Sequence, residues 1–406
     1  MRSRIFYQRL LRIVVPWLWS ALVAGGTGLC FAADQDAVAA FLHRHWSRPI
    51  PAQGPPPERF TPAESDVMNP AGCGLCHVTQ YADWQLSHHR RALGPGILGQ
   101  LLDMPADARE DHQACLRCHA PLAEQADALV AILTKNEKKG MDGLTCAGCH
   151  VRGHVYYGPP ARSPSAMAKE LLPHGGWTTA TAFEDARFCA GCHQFSAEDP
   201  ALNGKLLENT FEEWRQSRYA KAGQPCQACH MPDRRHSWRG IHDPEMVRSG
   251  LTIQVERLTP ARPDEVAVRI VLRNTGVGHS FPTYVTPRVL VETWQKDSSN
   301  QIVPETSQEM VISRDVSLDL AEERFDTRIP PDGQAVLEYR QPLKSQATLL
   351  AWQVRVEPDY FYKLFYEAVL KAGSNPRGDA LLRSAYHQAA NSPYILFSGE
   401  IPLATP

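Results

Sequence analysis

Ten cysteines and five histidines between Cys73 and His230 fall into one repeated arrangement, Cys-x-x-Cys-His. The copies are Cys73/Cys76/His77, Cys115/Cys118/His119, Cys146/Cys149/His150, Cys189/Cys192/His193 and Cys226/Cys229/His230. Two cysteines at this spacing can reach the two vinyl groups of one porphyrin, and the next histidine then falls under the iron as an axial ligand. The pattern predicts covalent attachment of haem c at five places. Zinc is the competing chemistry for paired cysteines. A structural zinc site takes two pairs, however, the number of pairs here is odd, and zinc does not require a histidine at a fixed next position. A disulfide framework fails because each cysteine of this stretch is consumed by a copy.

The second axial ligand decides what such irons do. An iron held by two histidines exchanges electrons with little rearrangement, whereas an iron with one histidine can take up nitrite, hydroxylamine, nitric oxide or peroxide. The chain has 16 histidines, so those outside the motifs are numerous enough to close every iron. The candidates are His89, His154 or His174, His236, His242 and His279. His236 and His242 flank the Trp238-Arg239-Gly240 turn just after the fifth copy. His279 follows Gly276-Val277-Gly278, a flexible loop able to reach across to an iron. His43 and His45 read as surface residues, and Met68, Met104, Met141 and Met231 as packing residues.

These groups need elements to position them. Residues 34–72 form a proline-rich strap with Pro49, Pro51, Pro55, Pro56, Pro57 and Pro62, extended rather than independently folded. Tyr81-x-x-Trp84-x-x-Ser87-x-His89 is repeated as Phe211-x-x-Trp214-x-x-Ser217-x-Tyr219, and its spacing puts each aromatic pair on one helix face. Ala123 to Lys139 reads as an amphipathic helix ending at Gly140. From Leu251 the period changes to two, through Leu251–Val255, Val266–Leu272, Val289–Trp294, Ala335–Tyr339 and Leu349–Val356. Turn signals stand at Asn274-Thr275-Gly276 and Pro331-Asp332-Gly333. Two helical excursions, Tyr360 to Leu370 and Asp379 to Ala390, precede a last strand from Tyr394 to Ile401. With 406 residues and 32 prolines, the reading is α+β: a mainly helical, loop-rich multihaem domain over 73–248, then an immunoglobulin-like β-sandwich domain over 249–406.

The N-terminus carries Arg2, Arg4, Arg9 and Arg12, an apolar run from Ile13, and small residues at Ala32-Ala33. This is the layout of a secretory signal peptide over 1–33, which places the mature protein in the periplasm. An uncleaved anchor is the alternative, since the run stretched to Cys30 borders on spanning length. Net charge is −2 for the whole chain and −6 without the four arginines of the signal, which argues against a nucleic-acid partner.

The chain resembles the multihaem c-type cytochromes related to the tetrahaem electron acceptor of nitrifying bacteria and to hydroxylamine oxidoreductase. The resemblance rests on the first motif with Trp84-x-x-Ser87-x-His89, on Cys226-Gln-Ala-Cys229-His230-Met231-Pro232, and on Gly278-His279-Ser280-Phe281-Pro282-Thr283. It implies electron transfer through closely stacked haems with histidine on the distal side of most irons, His89 among them, while Tyr219 departs from the ligand-bearing copy. Pentahaem nitrite reductases carry one Cys-x-x-Cys-Lys motif, absent here, and hydroxylamine oxidoreductases carry eight haems. The expected function is therefore an exported pentahaem relay between respiratory redox partners, such as a membrane quinol dehydrogenase and a periplasmic reductase or oxidase. The alternative is an oxidoreductase acting on nitrite, hydroxylamine or another small nitrogen or oxygen species at one open-site haem. No catalytic side chain is assigned.

Overall fold

In the computed structural model four Cys-x-x-Cys-His copies lie within helices, Arg109–His119, Cys146–His150, Arg187–His193 and Cys226–His230. Residues i, i+3 and i+4 share one helix face, so a single turn brings two sulfurs and an imidazole together. The first copy departs from this. Its helix, Pro70–Gly74, is capped by the Asn69 side chain, which accepts from the Ala71 amide, but it stops before Cys76 and His77. The structure describes residues 36–48, 50, 69–105, 107–135, 141–163 and 173–403. The expected signal segment, most of the strap and Met68 lie outside the described residues.

Apolar side chains gather into separate clusters rather than one core around the motifs. Leu93, Leu98, Leu101, Leu129 and Ile132 form one, built from helices Pro95–Asp103 and Ala126–Lys135. The latter is the helix expected from Ala123, and a 3-10 turn, Ala123–Gln125, leads into it. Val78–Leu86 and Thr210–Arg215 are the two helices of the internal repeat. Their aromatic pairs do pack together, Tyr81 against Trp84 at 5.8 Å and Phe211 against Trp214 at 5.6 Å between ring centroids. The shared ending diverges: Tyr219 donates its hydroxyl to Thr275 O at 3.0 Å.

Alternation of buried and outward residues after Leu251 gives two larger antiparallel sheets, beside a two-stranded one of Arg314–Val316 and Glu323–Asp326. Gln334–Pro342, Glu265–Asn274 and Leu251–Arg257 form a three-stranded sheet in that order. Tyr394–Pro402, Ala347–Glu357, Arg288–Asp297 and Gln308–Ile312 form a four-stranded one. Val268, Ile270, Leu272 and Leu337 from the first meet Val289, Val291, Leu350 and Val354 from the second in one buried cluster. Register is fixed because a one-residue slip would turn each of these apolar sets outward. The chain is thus α+β. Between the last two strands the helices Tyr360–Ala372 and Pro376–Ala390 form a hairpin that packs on Pro95–Asp103. Gly378 allows the close approach, since a Cβ there would stand 2.7 Å from Gly99 O. Among the described residues no helix is long and apolar enough to cross a membrane.

Candidate haem-binding sites and their axial histidines

Four of the five motif histidines face another histidine. Ring centroids are 6.5 Å apart for His77 and His174, 6.2 Å for His150 and His236, 6.2 Å for His193 and His89, and 6.4 Å for His230 and His279. Two metal–nitrogen bonds of about 2.0–2.1 Å plus half of each ring add to roughly 6 Å, so each pair is spaced to hold one metal between its rings. The planes lie 23°, 26° and 13° apart in three pairs and 50° apart in the His193–His89 pair.

Hydrogen bonds to the other ring nitrogen support the same reading. The Nδ1–H groups of His119, His150 and His230 donate to the carbonyls of Ala92 at 2.6 Å, Tyr157 at 2.8 Å and Arg239 at 2.8 Å. Those of His174, His236 and His279 donate to Gly176 O, Arg234 O and Ser280 O at 2.8 to 2.9 Å. Fixing the proton on Nδ1 leaves the Nε2 lone pair for iron. Burial holds His150, His193 and His279 at a pKa of about 4 and His89 at about 3, so all are neutral, as ligation requires, at pH 7.

His119 differs. All sixteen histidines lie among the described residues, and none of them faces its ring. His154 stands in the turn between Val151–Arg152 and Val155–Gly158 with φ 64°, and faces no motif histidine. His242 is held by Asp359, with Nε2 at 2.9 and 3.0 Å from its two carboxylate oxygens, and its ring lies 4.3 Å from that of His88. His154 and His242 therefore leave the set of axial candidates. His45, expected on the surface, is buried and bonds Cys149 O at 2.8 Å.

The ten cysteines are not placed alike. Cys76 and Cys229 are exposed, whereas Cys73, Cys115, Cys118, Cys146, Cys149, Cys189, Cys192 and Cys226 are half-buried. Cys76 departs most from the uniform helical arrangement that the motif predicts. Helix Pro70–Gly74 ends before it, where the chain turns to begin Val78–Leu86, and the residue is exposed. The turn nevertheless keeps the motif's spacing: the Cys76 and His77 amides both donate to Cys73 O, at 3.3 and 2.9 Å.

The motifs themselves are neighbours. The sulfurs of Cys73 and Cys146, of Cys118 and Cys192, and of Cys189 and Cys226 are within hydrogen-bonding reach of each other. Cys149 lies within electrostatic reach of Cys189 and Cys192. The first set therefore adjoins the third, and the fourth adjoins the second, third and fifth.

The family model for cytochrome c554 and c-prime matches residues 72–151, a span holding three of the five motifs. A penta-heme cytochrome c552 from Thermochromatium tepidum has the same fold, with TM-score 0.57 and 18% identity over 82% of this chain and 97% of that chain. A structural-genomics target, SoR45, matches at TM-score 0.14 and 11% identity over 26% of this chain and 70% of that one, too weakly to carry an argument. No curated protein matches. These findings support a multihaem c-type cytochrome with covalently bound haem c.

Residues that the motifs do not flag position the facing histidines. Asp83, on the first repeat helix, accepts from Arg235 Nε and Nη2 at 2.7 and 2.6 Å and from the His236 amide at 2.9 Å. The Arg235 guanidinium, above all, holds its carboxyl below the usual carboxylate range. Asn274 ties the His279 loop, donating to His279 O at 3.0 Å and Ile329 O at 3.2 Å while accepting from the Val277 amide at 3.0 Å. Ser280 N donates to Glu213 Oε2 at 3.0 Å, and Arg328 bonds the same carboxylate at 3.0 Å, which anchors the loop to the second repeat helix. A single carboxylate between Tyr81 and Trp84 was the available signal for Asp83. The Asn-Thr-Gly turn pointed at Asn274, although only as a turn.

Proposed function

We propose that this chain is an exported, periplasmic pentahaem c-type cytochrome that relays single electrons between respiratory redox partners, a membrane quinol dehydrogenase on one side and a periplasmic reductase or oxidase on the other. The observation that carries the reading is the set of four facing histidine pairs at 6.2 to 6.5 Å. Such pairs would supply two histidine ligands to one iron, so bound haem would exchange electrons with little ligand rearrangement. His77, His119, His150, His193 and His230 would hold the motif side, and His174, His236, His89 and His279 the opposite side. The sandwich region is read as immunoglobulin-like. Its first, second and fifth long strands share one sheet and the third, fourth, sixth and seventh the other, an arrangement of that general kind.

The lone position of His119 favours a second reading, in which one haem is open to a small nitrogen or oxygen species such as nitrite or hydroxylamine. Carbon monoxide titration of the reduced protein, followed by electron paramagnetic resonance of the oxidised form, separates the two. Four low-spin haems and one carbon monoxide per chain support an open site fed by four relays. Five low-spin haems and no carbon monoxide uptake leave the relay alone, and fewer than four low-spin haems overturn the relay reading itself.

A further inference from the structure

The fourth haem set combines three features in what surrounds its histidines and its motif. His193 Nδ1 meets no carbonyl; its partner is the Tyr284 hydroxyl at 3.0 Å. A phenol oxygen is a weaker acceptor than a backbone carbonyl, so the imidazole gains less anionic character and donates less charge to a metal. On the opposite side His89 Nδ1 is buried with no hydrogen-bond partner. Arg48 adds a cation: its Nη2 reaches Gly191 O at 3.1 Å and Cys192 Sγ at 3.5 Å. Compared with a pair bonded to two carbonyls and lacking the cation, each of the three would disfavour the more positive, oxidised state of a haem bound here.

The acidic groups nearby do not offset this. Glu213 is paired with Arg328 at 3.0 Å. Glu208 accepts from the Thr210 hydroxyl at 2.8 Å, and burial pushes its pKa up to about 8, so it is largely uncharged at pH 7. Thr210 in turn bonds the Tyr284 phenol, which fixes the ring against His193. The same set adjoins the second, third and fifth, and is therefore the branch point of the array.

We infer that a haem bound by Cys189, Cys192 and His193 would be the electron-collecting junction, the most easily reduced of the four histidine-paired haems, with Arg48 the positioning residue that raises its potential and the Tyr284 phenol the one that lowers it less than a backbone carbonyl would. The inference rests on the relay reading and deepens it. No bond would be made or broken; the residues of this set would hold a group that takes up one electron and passes it on.

The test is a potentiometric titration of the full haem-loaded protein followed by electron paramagnetic resonance. The 50° angle between the His193 and His89 planes gives this haem a low-spin signal with a larger maximum g-value than the three near-parallel pairs, and so identifies it. The signal should have the highest midpoint of the four. Tyr284→Phe should move that midpoint upward and Arg48→Gln should move it downward, with the other three unchanged. A midpoint at or below the others, or variants that move none, overturns the inference while low-spin signals leave the relay reading standing. Absence of low-spin signals instead overturns the relay reading. Should Tyr284→Phe fail to load haem, the wild-type order and Arg48→Gln decide the matter.

Discussion

Replacing Asn274 by alanine tests how the β-sandwich region presents His279. Asn274 is 1% exposed, and its amide makes the three bonds that close the loop, to His279 O, Ile329 O and Val277 N. A buried neutral hydrogen bond contributes about 1 kcal/mol, and an abandoned buried partner costs up to about 3 kcal/mol. Loss of the three therefore predicts about 3 kcal/mol of destabilisation, rising toward about 5 kcal/mol if water cannot reach the two carbonyls. This is a large share of the roughly 5–15 kcal/mol typical of a folded domain. Because the freed carbonyl is that of His279 itself, the ring should also leave its position 6.4 Å from His230. Urea denaturation should show the lower midpoint, and one haem should pass from low to high spin, as it should in His279→Ala. Asn274→Asp keeps the size and the acceptor for Val277 N, so it should reproduce most of the spin change through loss of the two donated bonds. Destabilisation below about 1 kcal/mol, together with an unchanged low-spin spectrum, would refute the reasoning.

Mature protein should carry five covalent haems, counted by intact mass and pyridine haemochrome absorbance, because five complete motifs leave no cysteine over between Cys73 and His230. Asp83→Asn should loosen the Arg235–His236 segment and raise the high-spin fraction of one haem without changing haem count, read by electron paramagnetic resonance and mass. Burial holds His45 at a pKa of about 3 against an ordinary value of 6.5; below 6.5 the unfolded chain binds a proton that the folded chain refuses, so stability should fall as pH drops from 6.5 toward 3. His45→Gln, which can still donate to Cys149 O, should remove that component of the acid sensitivity in urea melts at stepped pH.

Part of this protein is decided by local chemistry, and there the sequence suffices. A Cys-x-x-Cys-His run needs only one turn to bring its three groups together, so the ten cysteines and His77, His119, His150, His193 and His230 stand out as candidate haem-holding groups without any fold. Even Cys76, past the end of its helix, keeps that spacing through the hydrogen bonds to Cys73 O. Period-two alternation likewise marks the strands from Leu251 onward, because the pleat sends alternate side chains to opposite sides wherever the strand ends up. The facing histidines have no such local signature. His174 and His154 look equivalent in sequence, as do His236 and His242, yet His174 and His236 each come to 6.5 Å or less from a motif ring while His154 turns away and His242 is taken by Asp359. What separates them is distant in the chain: Asp83 grips the amide of His236 across 153 positions, and His279 reaches His230 only because the sandwich docks on the helix carrying Glu213. The isolation of His119 and the phenol on His193 are of the same kind. Each depends on which carbonyl, hydroxyl or ring the packed chain brings to an imidazole, and long-range packing alone sets that.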